Sequence, residues 1–185
     1  MALFHNIFDL NKNIKIEINK HYWLRIITPK DISDSYISWM NDYDVTKYTE
    51  QRFQKHSHEV IEKFVCEKFE SPIDYLFGIF HKDKHIGNIK LGPVNDFHKI
   101  AEVSYFIGDR NYWGLGIATL AVNAVVKFGK NDLGLRKFNA GYYDCNIGSA
   151  KVLEKCGFEV EGVKKNEVIF ENKRISRVLV GLFIS

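Results

Sequence analysis

The stretch Arg110-Asn111-Tyr112-Trp113-Gly114-Leu115-Gly116-Ile117-Ala118-Thr119 constrains this chain most, because it joins a strand-like run to a helix-like run through two glycines. The run before it, Ala101 to Gly108, is rich in β-branched and aromatic residues and alternates in character, as a strand does. From Ile117 to Lys130 the apolar residues Ile117, Leu120, Ala121, Ala124, Val125 and Phe128 recur with the period of a helix that buries one face. Glycines at a helix start keep Cβ atoms away from the first backbone N–H groups. A diphosphate can then approach those unpaired amides and the positive end of the helix dipole. Glycines also serve simply to make a tight turn, and on this fragment alone both readings stand.

The surrounding pattern decides what kind of sheet the loop belongs to. After an irregular N-terminal segment, Tyr22 to Thr28 reads as a strand that stops at Pro29. A helix is predicted from about Lys30 to Met40, with Thr28 or Asp31 as its cap, and a second from Ser57 through Phe69. Asn41 to His56 between them reads as a loop. Tyr75 to His81 and His85 to Leu91 form a hairpin across Lys82-Asp83-Lys84, and Glu102 to Ile107 completes a three-strand antiparallel meander. Beyond the glycine loop and its helix come a strand at Lys137 to Tyr143, a short helix from Ile147 to Cys156, and two strands, Phe158 to Ile169 and Ile175 to Ile184. The resulting order is β, α, α, β, β, β, α, β, α, β, β. A dinucleotide-binding parallel sheet would alternate strand and helix from the start and place its glycines after the first strand. Here they follow a meander, and Thr119 stands where a third glycine or alanine is expected, although Asp144 sits where a ribose-binding acid would.

At 185 residues and 45% hydrophobic, the chain can form one domain, residues 1–185, with a full core. Three scattered cysteines, Cys66, Cys145 and Cys156, do not read as a disulfide framework and fit a reducing, cytoplasmic compartment. Met1 to Leu10 lacks a basic leader and its apolar residues are interrupted, so it does not read as a signal peptide. No uninterrupted apolar segment is long enough to span a membrane. A net charge of +3 is too mild to predict a nucleic-acid partner. His56 and His58 form a His-x-His pair without a third ligand at metal spacing, so no metal is expected.

A second signature lies at Asn146-Ile147-Gly148-Ser149-Ala150-Lys151-Val152-Leu153-Glu154-Lys155-Cys156-Gly157-Phe158. With it, the chain resembles the GNAT superfamily of N-acetyltransferases, and within it the group of the RimJ and RimL ribosomal-protein acetyltransferases. The family's pyrophosphate loop matches Asn111 to Gly116, and its Asn-x-x-Ser followed by Lys-x-Gly-Phe matches Asn146, Ser149, Lys155, Gly157 and Phe158. The resemblance covers roughly Tyr22 to Ser185. It implies an α+β fold with a mostly antiparallel sheet of about seven strands, splayed in the middle and flanked by about four helices. It also implies acetyl-CoA as cosubstrate, a small-molecule or peptide amine as acceptor, and a homodimer as a common assembly.

Residue by residue, the resemblance implies that the backbone of Phe106 and Ile107 pairs with the pantetheine arm. The loop residues Arg110, Asn111, Trp113, Gly114, Leu115, Gly116, Ile117, Ala118 and Thr119 would hold the diphosphate, and Asn146 and Ser149 would reach the arm or the sulfur. Trp39, Asn41 and Tyr43, in the segment that runs on to Phe53, and Tyr105 would meet the acceptor. Three positions depart from the pattern: Asn111 replaces the usual Arg or Gln, Leu120 a common Glu, and Leu153 the tyrosine that protonates the leaving thiolate in many relatives.

In the reaction this implies, a neutral amine attacks the thioester and CoA leaves as thiolate. A lysine-like amine with a pKa near 10.4 is only roughly 0.04% neutral at pH 7, so a base is needed; an α-amine near 8 is about 10% neutral and needs less help. Glu102 is the candidate base, since strand alternation puts it on one face with Ser104 and Phe106. Ser149 is the candidate group at the sulfur, and Tyr105 and Tyr143 are alternative proton donors. Each has a plainer reading: Glu102 as a surface carboxylate, Asn146 as a helix cap, Asp144 as a strand-end turn residue, and Trp39 and the tyrosines as core.

Overall fold

A computed structural model describes residues 13–184. Eight strands, β1 (Lys15–Glu17), β2 (Tyr22–Ile26), β3 (Tyr75–His81), β4 (Lys84–Asn95), β5 (Ile100–Ile107), β6 (Lys137–Tyr143), β7 (Glu159–Phe170) and β8 (Lys173–Phe183), make a single sheet. Its order is β1-β2-β3-β4-β5-β6-β8-β7. All neighbours are antiparallel except β5 and β6, which run parallel. Five helices accompany it: α1 (Asp34–Asn41), α2 (Tyr43–Thr46), α3 (His58–Glu70), α4 (Ile117–Leu133) and α5 (Ile147–Lys155). The predicted meander is present as β3-β4-β5, and the mostly antiparallel order excludes the dinucleotide-binding sheet. The reading of Met1 to Leu10 lies outside the described residues.

Several predicted boundaries move, each for a local reason. The first helix begins at Asp34 because Ser33 caps it, its hydroxyl accepting from the Tyr36 N–H at 3.2 Å. Thr28 and Asp31 instead close a 3-10 turn over Pro29–Asp31, where the Asp31 carboxylate accepts from the Thr28 amide at 2.8 Å and ion-pairs with Arg25. The segment Asn41 to His56 is not all loop: Asp42 caps the single turn of α2, and Thr49 caps a 3-10 turn over Glu50–Phe53. Ser57 caps α3 as predicted, accepting from Val60 N–H at 3.4 Å. The additional strand, β1, is too short to carry a period in sequence and is held by pairing Ile16 with Leu24 of β2.

The sheet has a core on each face. On one side Phe77, Ile86, Ile89, Leu91, Val103 and Phe138 pack with Ile117, Ala121, Val122 and Val125 of α4. On the other, Ile27 and Leu76 pack with Tyr36 and Trp39 of α1 and with Ile61 and Val65 of α3. Full burial of each such side chain is worth about 1.5–3 kcal/mol, which makes these two layers the main stabilising term. Trp39 closes the second core onto the backbone of Gly108, where an added Cβ would lie 2.2 Å from the indole. Since overpacking of this kind costs about 1–3 kcal/mol, Gly108→Ala should lower unfolding stability by that amount in urea titration.

Candidate active site

The site originates in a short pairing. Strands β5 and β6 are matched only at Ile100 with Lys137, Ala101 with Phe138, and Glu102 with Asn139. Beyond that point β5 stays with β4 as far as Ile107, while β6 follows β8 as far as Tyr143. The sheet therefore opens into a wedge, and a cleft of about 1340 Å³ fills it. Its walls include the β5 edge from Glu102 to Ile107, the β6 edge from Asn139 to Tyr143, the start of α4 and the first turns of α5.

At the open end lies the glycine loop. Gly114 and Gly116 both hold φ +74°, a left-handed conformation that favours glycine, and nothing lies within 4 Å of where their Cβ atoms would be. Gly116 caps α4 without a side-chain hydrogen bond, and Ile117, 1% exposed, anchors the helix start in the core. The first intrahelical bond runs from Leu120 N–H to Gly116 C=O, so the amides of Ile117, Ala118 and Thr119 precede the helix's own hydrogen-bond ladder. Open space, permissive backbone and uncommitted amides leave an open cradle at the helix start, an arrangement that an anionic group can approach.

The loop's side chains are committed elsewhere. Asn111 donates its amide to Asp109 at 2.9 Å, and the Asp109 carboxylate also caps the 3-10 turn over Arg110–Tyr112 and pairs with Lys84 at 2.7 Å. Arg110 pairs with Asp42 and, at 2.9 Å, with Asp44, bridging to the α1–α2 junction instead of turning its charge toward the cradle. Neither Arg110, Asn111 nor Leu115 lines the cleft, whereas Tyr112, not singled out in sequence, does. Trp113 donates its indole N–H to the Ile107 carbonyl at 2.8 Å, so that carbonyl is already engaged.

Facing the cradle is the start of α5. Asn146 caps it, its side-chain oxygen accepting from Ser149 N–H at 3.1 Å. Half-buried Ser149 places Oγ 3.0 Å from the Tyr105 hydroxyl, and burial pushes the Tyr105 phenol up to about 12. Leu153, 1% exposed, lies one turn further along. Cys156 fastens α5 to α4 by donating its thiol to the Thr119 carbonyl at 3.6 Å.

On the opposite face of the sheet, Glu102 sits at the apex of the wedge beside its strand partner Asn139, with Ser104 and Phe106 following along β5. Asn139 Oδ1 is buried with no hydrogen-bond partner among the described residues. Further out, the Tyr143 hydroxyl donates to Glu50 and accepts from Arg52 at 3.0 Å. Arg177 lies 3.6 Å from Glu50 and 3.1 Å from Glu167. Burial, and then the Glu50 carboxylate, push the Tyr143 phenol above its ordinary range. Glu50 and Arg52 fall in the segment expected to select the acceptor, but only their common contact with Tyr143 marks them, and no sequence spacing carries that.

Of the remaining expected acceptor residues, Tyr105 lines the cleft while Trp39 and Asn41 do not. Trp39 is core, and Asn41 fastens the chain after α1 by exchanging hydrogen bonds with the backbone of His56 at 2.8 and 3.0 Å. Tyr43 lies outside the cleft, exposed, donating to Glu171 at 3.2 Å. Asp144 accepts from Ser176 N–H at 2.9 Å, as a strand-end residue. His56 is buried with Nε2 3.0 Å from the Gln51 carbonyl, His58 lies 3.7 Å from Glu62, and no group of three metal-ligating side chains occurs among the described residues.

With a sheet opened between two parallel strands, a glycine cradle on one helix and a capped helix facing it, the chain belongs to the GNAT acetyltransferase family, whose sequence pattern, described as an acetyltransferase (GNAT) domain, matches residues 21–159. It is similar to the probable N-acetyltransferase YjcK of Bacillus subtilis, 34% identical over 120 residues that span 61% of this chain and 66% of that one. Its fold matches RimL, a ribosomal L7/L12 alpha-N-protein acetyltransferase solved with coenzyme A, at a TM-score of 0.83 and 16% identity over 92% of this chain and 98% of that one. It also matches MccE, the microcin C7 self-immunity acetyltransferase solved with acetyl-CoA and AMP, at a TM-score of 0.77 and 20% identity over 90% and 94% of the two chains.

Burial raises the Cys156 thiol from 9.0 to about 11. At pH 8 it then carries roughly a hundredth of the thiolate of an unperturbed cysteine. In the folded protein, iodoacetamide should label Cys156 at least tenfold more slowly than half-buried Cys66, read by peptide mass spectrometry.

Proposed function

We propose that this chain transfers the acetyl group of acetyl-CoA to a primary amine by direct attack on the thioester. The observation that carries this reading is the wedge between β5 and β6, with the open Gly114–Gly116 cradle at its mouth and Ser149 beside its inner wall. In this reading the amides of Ile117 to Thr119 bind the diphosphate, the β5 edge near Phe106 pairs with the pantetheine arm, and the thioester lies toward the apex. Ile107 contributes less than the sequence implied, since its carbonyl already serves Trp113. RimL with coenzyme A and MccE with acetyl-CoA, both of the same fold, support this choice of cosubstrate.

The proton balance follows from the residues. Glu102, with no ion-pair partner among the described residues, takes the proton of the incoming ammonium, directly or through one water. The nitrogen lone pair forms the new C–N bond, the acylated nitrogen gives its surplus proton to water, and the C–S bond breaks with its electron pair leaving on sulfur, where Ser149 supplies a hydrogen bond. The acceptor class comprises protein α-amines, amino sugars, polyamines and other small amines. It meets the Glu50, Arg52, Tyr143 and Arg177 wall, which holds both signs of charge and is built to orient a polar acceptor. Likeness to RimL favours the RimJ/RimL-like group, and the three free cysteines suit a cytoplasmic setting; a homodimer is the assembly expected on the same reading.

Calorimetry with acetyl-CoA, followed by an amine panel read by release of free CoA, tests the proposal. Binding with turnover of at least one amine is expected, whereas binding without turnover would make the chain a CoA sensor. Gly116→Trp should weaken acetyl-CoA binding at least tenfold; undiminished affinity would reduce the loop to a turn. Glu102→Gln should slow turnover chiefly at pH values below the pKa of the amine, and an unchanged pH–rate profile would remove Glu102 as the base.

A further inference from the structure

The Tyr105 hydroxyl has two polar neighbours, both on Ser149: Oγ at 3.0 Å and the main-chain carbonyl at a longer 3.4 Å. The carbonyl of a residue this early in α5 is also the acceptor for the N–H four residues on, at Leu153. The serine hydroxyl is therefore the better acceptor for the phenol proton. Burial keeps that proton in place, with ionisation pushed up to about 12. A helical serine left alone turns its hydrogen back to a carbonyl in the preceding turn. Here a hydroxyl of the neighbouring strand lies within hydrogen-bond distance of Ser149 Oγ, and Ser149 itself lines the cleft.

We infer that Tyr105 is a positioning residue, which donates to Ser149 Oγ and so directs the serine's own hydrogen into the cleft, toward the sulfur of the departing CoA. The inference rests on the proposed acetyl transfer. No proton leaves Tyr105: as the C–S bond breaks, the electron pair goes to sulfur, the thiolate accepts a hydrogen bond from Ser149, and it is later protonated by solvent. Burial pushes the phenol up to about 12, so giving its proton to a thiolate with a pKa near 8.5 is uphill, and its contribution is to polarise and orient the serine. Of the serine's neighbours along α5, Leu153 has no donor and the Cys156 thiol is turned to the Thr119 carbonyl, while Asn146 spends its side-chain oxygen on capping the helix.

The test measures the acidity of the CoA thiol while it is bound, which needs no acceptor amine. Free CoA is bound to the wild-type protein and to the Tyr105→Phe, Ser149→Ala and double variants, and the thiolate is titrated by its ultraviolet absorption. Bound CoA should titrate about one unit below free CoA in the wild type. Either single substitution should abolish that shift, and the double variant should match Ser149→Ala, because the two groups act as one unit. Turnover of a responsive amine should fall about tenfold in Tyr105→Phe, with KM for acetyl-CoA changed less than twofold. Phenylalanine keeps the buried ring, and melting curves of all three variants report folding.

A Tyr105→Phe protein whose bound thiol titrates as in the wild type overturns the inference, as do effects that add independently in the double variant. A wild type that binds CoA with a shifted thiol yet acetylates no amine defeats the transfer reading and leaves the positioning role standing. A wild type that does not bind CoA defeats both.

Discussion

Two parallel strands that stop pairing after three residues govern the rest of this molecule. As long as Ile100 to Glu102 of β5 face Lys137 to Asn139 of β6, the eight strands remain one sheet with a common core. Past that point each strand keeps its outer neighbour and loses its inner one, so backbone groups that a closed sheet would satisfy internally face a cleft. Everything the site needs is placed relative to that parting. Helix α4 begins near the end of β5, α5 begins just beyond β6, and the segment carrying Glu50 and Arg52 reaches Tyr143 at the end of β6.

The two sides of the wedge differ in chemistry because strand alternation sorts their side chains. On the α4 and α5 side the sheet packs on the larger apolar core, and burial there holds both the Tyr105 phenol and the Cys156 thiol uncharged. On the other side Glu102, Glu50, Arg52, Arg177 and Glu167 are charged and mostly in mutual contact. Such partly exposed pairs contribute about 0–1 kcal/mol each to stability, small beside the two apolar cores. Their effect is orientation: they hold Tyr143 and the preceding loop against the mouth of the cleft.

Much of the fold was legible because it rests on periodicity and capping. The helical spacing from Ile117, the Ser57 cap and the alternation in β3, β4 and β5 are local signals, and the Glu171-Asn172 turn between β7 and β8 carries the positive φ values such a tight hairpin requires. Strand β1 and the turn α2 were not legible, since elements of three and four residues are stabilised by what they pack against. The turn before α4 was legible through Gly114 and Gly116, where the left-handed conformation favours the residue. The partners of Arg110 and Asn111 were not legible for the converse reason: position in a motif says nothing of the competing carboxylates of Asp42, Asp44 and Asp109, which the fold brings alongside. The contacts of Tyr143 with Glu50 and Arg52 join residues about ninety positions apart, beyond the reach of any local pattern.

Trp113 carries a consequence of another kind. A sheet opened at its centre exposes two interior edges, and a free strand edge is a template on which a stray extended chain can add. The indole of Trp113 occupies the Ile107 carbonyl, the last acceptor of β5, and the side chain stands over the end of the strand. An arm no wider than a single chain can still enter the wedge, whereas a strand seeking to extend the ladder past Ile107 meets a ring in place of a partner. The residue that borders the cradle therefore also caps the last acceptor of the open strand.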